Sequence, residues 1–117
     1  MNTPTAGPYR PRMADTGKKL GILISAGPTQ PTFRHGVRLA GVALDRGCRV
    51  YLYCIDDGVR GLADPELQAL RHRGLNLFAC ALAAERCAVS PSDLAVFCGL
   101  TVLSDILAAT DRFISFN

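Results

Sequence analysis

The sequence lacks the features that mark membrane-spanning proteins, secreted proteins and proteins stabilised by disulfides or a structural metal ion. No apolar run approaches the roughly 18 residues that a membrane-spanning helix needs. The amino-terminal stretch, rich in proline and small polar residues, has no apolar segment of the kind found in a secretory signal. The five cysteines form no CxxC pair and no Cys/His cluster at zinc spacing. We therefore expect a soluble cytoplasmic protein without structural disulfides, a bound metal or a membrane anchor.

Two classes of binding protein are also disfavoured by what is missing. The net charge of +3 is small, and its basic residues are scattered instead of forming a stripe with interleaved aromatic residues, so we predict no direct nucleic-acid partner. The loop "SAGPTQPT" has neither the GxGxxG spacing nor the GK[ST] ending of a phosphate-binding loop. An ordinary strand-to-helix turn is favoured there over a nucleotide site.

The chain has the size and composition of a single globular domain. It has 117 residues, of which 49% are apolar and 20% charged, which suffices for one core without covalent staples. Prolines and small polar residues before the first apolar run predict a flexible amino-terminal extension over residues 1–17. Residues 18–117 are expected to form one domain.

Short apolar runs alternate with helical patterns along this domain. Strands are predicted over residues 19–26, 49–55, 75–81 and 112–116, and helices over about 33–46, 65–73, 82–87 and 101–109. The segment 94–98 is too short to classify. Because such alternation is typical of parallel sheets covered by helices, we predict an α/β fold: a Rossmann-like or flavodoxin-like three-layer sandwich with a mostly parallel sheet of about five strands.

Helix starts are predicted at three places. Thr32 is expected to cap the first helix, and Asp64, followed by Pro65, the second. Ser90 to Asp93 has the pattern of a capping box with proline at the first helical position.

In open parallel sheets, reactive groups gather beyond the carboxyl ends of the strands. After the second strand, Asp56 and Asp57 fit a turn better than a cation site or acid-base chemistry. His35 and His72, both beside arginines, are expected to be solvated rather than catalytic. Cys80 lies at the carboxyl end of the third predicted strand and is the strongest candidate.

Cys80 directly precedes a predicted helix. Its thiol would face the unpaired N–H groups of the first turn, contributed by Ala81, Leu82, Ala83 and Ala84. That environment favours the reactive thiolate, although position alone leaves a buried structural cysteine as an open alternative. Cys87 lies seven residues on, some 10 Å along a helix, and is expected to be a poor disulfide partner.

The stretch "NLFACALAAERCAV" resembles the active-site segment of the DsrE/DsrF-like (TusD-like) sulfur-relay family, in which an apolar strand ends in a cysteine followed by small residues and an arginine. The stretches "ISAGP", "RGCRVYLYCIDDGV", "FCGLTVL" and "TDRFISF" resemble further family landmarks in the same order. The resemblance extends from Lys19 to Asn117.

The resemblance implies that Cys80 carries sulfane sulfur as a persulfide, without metal or organic cofactor. It implies a protein donor or acceptor, TusA-like or rhodanese-like, in sulfur oxidation or tRNA thiolation. It also implies a homotrimer or homohexamer, with a hetero-oligomer as an alternative. Cys54 and Cys87 depart from the family pattern, so either could be a secondary thiol. A thiol redox protein or sensor that uses Cys80 with one of them, and an inert scaffold subunit, remain open as other functions.

Overall fold

The computed structural model of the protein describes residues 17–117, so the predicted extension over residues 1–17 lies, except for Gly17, outside the described residues. The strands are β1 (Lys19–Ile24), β2 (Arg49–Cys54), β3 (Asn76–Cys80), β4 (Val96–Cys98) and β5 (Arg112–Phe116). The α-helices are α1 (Pro31–Asp45), α2 (Pro65–His72), α3 (Ala81–Arg86) and α4 (Leu100–Ala109), and a 3₁₀ helix spans Asp56–Gly61.

The strands form one five-stranded sheet in the order β4-β3-β2-β1-β5, and every neighbouring pair is parallel. The chain steps outward from β1 to β4 one strand at a time. It then returns through α4 to place β5 on the far side of β1. This confirms the predicted α/β fold, and it brings the carboxyl ends of all five strands to one edge of the sheet.

The two faces of the sheet are covered unequally. Alternation along the strands turns Ile24 and Cys54 towards one face and Tyr53 and Phe78 towards the other. Helix α1 packs on the first face, where its Gly36 approaches the side chain of Ile24, and α2 packs against α1. Helix α4 lies on the second face, beside Phe78. The first face is therefore more completely covered than the second.

The core is built from the strands and from the inner face of α1. Its largest fully buried side chains come from these elements and from the chain that follows β2: Tyr53, Phe33, Ile22, Ile24, Leu52, Leu67, Val37, Val50, Val59 and Cys54. No polar or charged residue within 17–117 is buried. None of the helices in this part of the chain is long and apolar enough to cross a membrane.

Two predicted helix starts are wrong. Helix α1 begins one residue before Thr32, at Pro31, because proline's fixed φ suits the first helical position, and its N-cap is Gln30. The Thr32 hydroxyl instead donates to the carbonyl of Asn117 at 2.8 Å. The predicted capping box over residues 90–93 starts no helix: the Ser92 hydroxyl accepts a local hydrogen bond from Leu94 N–H at 3.3 Å, a turn contact that replaces the helix cap.

The prediction at Asp64 is confirmed. Its carboxylate accepts a hydrogen bond from Leu67 N–H at 3.1 Å and thereby caps α2, and Pro65 occupies the first turn. The same carboxylate forms two hydrogen bonds with the Arg34 guanidinium, at 2.6 and 2.9 Å, and Arg34 also reaches Glu66 at 2.8 Å. The pKa of Asp64 is lowered, mainly by its hydrogen bonds with the Arg34 guanidinium. This charged contact ties α1 to the start of α2.

The 3₁₀ helix sits beside the carboxyl ends of the central strands. Ile55 N–H donates to the Ile24 carbonyl at 2.9 Å, and Gly58 follows in a position where a Cβ would lie 2.2 Å from that carbonyl oxygen. Only glycine permits so close an approach. The stretch "DDG" therefore leads into a packed helical turn against β1, which is more structure than the simple turn that was predicted.

Candidate functional site

Cys80 is both the last residue of β3 and the N-cap of α3. Ala83 N–H donates to its sulfur at 3.5 Å, so one of the predicted backbone donors contacts Sγ. The residue is only 5% exposed, whereas Ala81 and Leu82, which follow it, lie on the surface. The sulfur lies just beneath the surface, with a backbone N–H directed at it.

A second thiol lies beside Cys80. Strand β4 ends in Cys98, and the backbone register pairs this residue with Cys80 across the parallel β3–β4 ladder. Register partners in a parallel sheet project to the same face, so the side chains of Cys80 and Cys98 lie on one face of the sheet. Cys98 is half-buried. Burial first, and then the neighbouring Cys80, raise the pKa of the Cys98 thiol.

The hydroxyl of Tyr53 completes the group. It donates to the carbonyl oxygens of Gly99, at 3.1 Å, and of Cys98, at 3.4 Å. Burial raises the pKa of Tyr53 well above its ordinary value, and the charges of Cys80 and Cys98 raise it further. The hydroxyl therefore stays protonated and holds the end of β4 against β2. Tyr53, Cys80 and Cys98 are called the thiol cluster below.

The other cysteines lie elsewhere. Cys87 is the C-cap of α3, at the opposite end of that helix from Cys80, and its thiol donates to the Asp56 carbonyl at 3.8 Å. Cys54 is fully buried on the other face of the sheet, and burial raises the pKa of its thiol to about 12. Cys48 precedes β2, at the amino-terminal edge of the sheet. The structure brings none of the three to Cys80.

The remaining predicted polar residues do not join the cluster. Asp57 forms an exposed ion pair with Arg60 at 3.2 Å within the 3₁₀ helix. His35 is exposed on α1, and His72 is exposed at the end of α2, which precedes β3 and so lies at the other edge of the sheet. Within residues 17–117, no group of three or more His, Cys, Asp or Glu side chains is arranged to hold a metal ion.

The loop after β1 is closed by its own residues. The side-chain oxygen of Gln30 accepts a hydrogen bond from Gly27 N–H at 2.8 Å, and Gln30 N–H donates to the Gly27 carbonyl at 3.0 Å. The backbone donor of Gly27 is thus already satisfied. This arrangement is the ordinary strand-to-helix turn that the sequence favours.

Comparison with known proteins identifies the family. The model of the DsrE/DsrF-like family matches residues 18–116, which is nearly the whole described chain. The chain belongs to the DsrE/DsrF-like family. No curated protein sequence matches it.

The fold of this DsrE/DsrF-like protein is also found in solved structures. One of them, the crystal structure of the ychN protein from E. coli, superimposes with a TM-score of 0.73 at 14% sequence identity. The match covers 86% of this chain and 100% of that one. At this identity the likeness establishes the fold alone.

Sequence reasoning missed two members of the thiol cluster, Tyr53 and Cys98. Cys98 lies in a segment that is too short to classify from the sequence. A usable signal was nevertheless present, because two successive apolar segments, ending at Cys80 and Cys98, both terminate in cysteine. Neighbouring parallel strands end at the same edge of a sheet, so their terminal residues meet. The structure supplies the register that makes the two residues direct partners.

Proposed function

We propose that this DsrE/DsrF-like protein is a sulfur-relay carrier that accepts sulfane sulfur as a persulfide on Cys80 and passes it to a partner protein. The observation that carries the proposal is the position of Cys80, at the end of a central strand with the Ala83 N–H donating to its sulfur. Family membership supports a role in sulfur relay. The chemistry needs neither a metal nor an organic cofactor.

The transfer requires a thiolate at Cys80. That thiolate attacks the outer sulfur of a donor persulfide, the sulfur–sulfur bond of the donor breaks, and the donor leaves as a thiolate. The Ala83 N–H stabilises negative charge on Sγ of Cys80, as hydrogen bonds to thiolates do. Delivery reverses these steps: a thiolate on the acceptor attacks the outer sulfur and releases Cys80.

The surroundings of Cys80 suit a protein partner. Leu82, in the first turn of α3, is 53% exposed and offers an apolar contact two residues from the thiol. A shallow groove of about 550 Å³ runs along α3, lined by Ala81, Ala84, Glu85 and residues 88–91. We expect a small TusA-like or rhodanese-like protein to dock here as donor or acceptor, in sulfur oxidation or in tRNA thiolation. A reducing cytoplasm suits a carrier whose described cysteines are all free.

The sparsely covered face of the sheet supports a homo-oligomer. Leu100 and Leu107 lie seven residues apart on α4, and more than half of each is exposed, as is Val96 on the neighbouring edge strand. We expect a second copy of the chain to cover these apolar side chains in a trimer or hexamer. Light scattering coupled to size exclusion measures the assembly, and Leu107→Asp should shift it towards the monomer.

The test of the carrier function is sulfur loading followed by mass spectrometry. Wild-type protein incubated briefly with polysulfide should gain one sulfur, about 32 Da, and Cys80→Ser should not. Trypsin releases residues 74–86 as one peptide, in which Cys80 is the single cysteine, so peptide mapping locates the added sulfur directly. Cys87→Ser is the matched control, because it removes the thiol at the other end of the same helix, and it should load like the wild type.

The same experiment separates the carrier from the inert scaffold subunit. A scaffold predicts no gain on Cys80, or a gain spread equally over the other cysteines. Either result would falsify the carrier function.

A further inference from the structure

The thiol cluster contains two sulfurs where a simple carrier needs one. Cys80 and Cys98 are register partners on β3 and β4. Neighbouring strands lie about 4.8 Å apart, which is within the roughly 4.4–6.8 Å between Cα atoms that a disulfide spans. The backbone spacing therefore permits a covalent bond between the two sulfurs.

The cluster also holds Cys98 in place. The Tyr53 hydroxyl binds the carbonyls of Cys98 and Gly99, which anchors the last turn of chain before α4. Since Tyr53 is fully buried in the core, this anchor is rigid. Cys98 is thereby kept beside Cys80 although β4 itself has only three residues.

No other cysteine in the described chain competes for this role. Cys54 projects to the opposite face of the sheet and is fully buried. Cys87 is separated from Cys80 by the whole of α3, and Cys48 lies at the other edge of the sheet. An intramolecular reaction of Cys80 has one geometrically available partner, Cys98.

We propose that Cys98 is a resolving thiol, which converts persulfidated Cys80 into a Cys80–Cys98 disulfide and releases the carried sulfur as hydrosulfide. This inference rests on the proposed carrier function. The carried sulfur then has two fates: an acceptor protein takes it, or Cys98 displaces it and it is released as sulfide.

The step is balanced without an outside oxidant. The Cys98 thiolate, whose proton has gone to solvent, attacks the inner sulfur of the Cys80 hydropersulfide. A bond forms between the two cysteine sulfurs, the bond between the inner and outer sulfurs breaks, and the outer sulfur leaves with the electron pair and its own proton as hydrosulfide. The sulfane sulfur is reduced to sulfide, and the two cysteine sulfurs are oxidised to a disulfide. A dithiol reductant then restores both thiols.

The experiment follows loaded protein over time without reductant. Wild-type protein is loaded with polysulfide, desalted and sampled for intact mass and for free sulfide. Its persulfide form, about 32 Da above the reduced mass, should be replaced by a form lighter than the reduced chain by two hydrogens, about 2 Da, with one sulfide released per disulfide. Cys98→Ser should retain its persulfide at least tenfold longer and release no sulfide. Cys87→Ser should behave like the wild type.

The disulfide can be located in the wild-type chain, so the test does not depend on a variant that folds. Trypsin alone leaves Cys87 and Cys98 in one peptide, but cleavage before Asp93 and Asp105 places Cys98 by itself in residues 93–104. A non-reduced digest should contain this peptide joined to residues 74–86, which carry Cys80. A joined pair containing residues 87–92 instead would assign the resolving role to Cys87 and overturn the inference.

The two levels of the proposal fail differently. If wild type and Cys98→Ser both load Cys80 and hold the persulfide equally long, the resolving role of Cys98 is wrong and the carrier function stands. If neither loads Cys80, the carrier function is wrong and the resolving step falls with it. Cys98→Ala serves as a second variant, because it removes the thiol without adding a hydroxyl.

Discussion

Replacement of Tyr53 by phenylalanine tests whether the thiol cluster is held together by its hydroxyl. The change removes one oxygen from a fully buried side chain and leaves the ring in place. The lost hydroxyl donates to the carbonyls of Gly99 at 3.1 Å and of Cys98 at 3.4 Å. Tyr53→Phe therefore alters the anchoring of β4 with little effect on the packing of the core.

The expected loss of stability is small but measurable. A single hydroxyl proton shared between two carbonyls counts as about one hydrogen bond, whose net contribution is about 1 kcal/mol. Water can reach the exposed Gly99 and replace part of the bond, so a much larger loss is not expected. For a domain of this size, 1 kcal/mol lowers Tm by about 4–8 °C.

The same change should slow the chemistry of Cys98. Burial and the neighbouring Cys80 raise the pKa of the Cys98 thiol, and the nearby Tyr53 hydroxyl, which can also interact with the Cys98 side chain, partly offsets them. Its removal should leave the pKa higher still, so that less thiolate is present at pH 8 and Cys98 is alkylated more slowly by iodoacetamide. Residues 93–104, released as described above, report this rate for Cys98 alone.

Tyr51→Phe is the matched control. Tyr51 lies two residues earlier on the same strand and the same face, is half-buried, and makes no side-chain hydrogen bond within residues 17–117. It should unfold at the wild-type temperature and leave the alkylation of Cys98 unchanged. Equal melting temperatures and equal alkylation rates for the two variants would refute the anchoring role of the Tyr53 hydroxyl.

Two further predictions concern the frame that holds the site. Asp64→Asn keeps an N-cap but removes the charge that pairs with Arg34, so urea unfolding at pH 7 should show a loss of about 1–2 kcal/mol. The pKa of Asp64 is lower in the folded protein than its ordinary value of about 4, so its contribution to stability is fully present above pH 4 and is lost as the pH falls through the folded pKa. A stability difference between wild type and Asp64→Asn that is the same at pH 2 as at pH 7 would contradict this. Gly58→Ala places a Cβ against the Ile24 carbonyl and should lower the free energy of unfolding by about 1–3 kcal/mol. Gly41→Ala is the control, because its added Cβ meets Leu70 at 3.5 Å, and it should be neutral or stabilising. Equal Tm values for the two alanine variants would show that the chain around Gly58 adapts.

Most of the fold could be predicted because its local signals agree with its packing. β1, β2, β3 and β5 are apolar or β-branched runs bounded by turns, and each lies where the pattern places it. At Asp64 the cap, the following proline and the apolar residue Leu67 all indicate the same helix start. Such agreement makes a local pattern sufficient.

The failures within residues 90–98 arise where local sequence preference does not decide the structure. Ser92 was equally suited to a helix cap and to the turn it makes, and β4 is a strand only because its three residues complete a ladder with β3. Cys98 was missed for this reason, since its role depends on a register that no local pattern encodes.

The pairing of β1 with β5 has a consequence for how the chain is synthesised and folds. The Lys19 N–H donates to the Asp111 side chain and the Asp111 N–H to the Lys19 carbonyl, contacts that join residues 92 positions apart. While the ribosome is making this chain, one side of β1 therefore stays without a partner until residues 112–116 have emerged. An open strand edge is prone to pair with other chains, and contacts between residues so distant in sequence form late. The nascent domain is thus most vulnerable to misassociation just before its last strand docks, and a chaperone that protects it would need to cover the edge of β1.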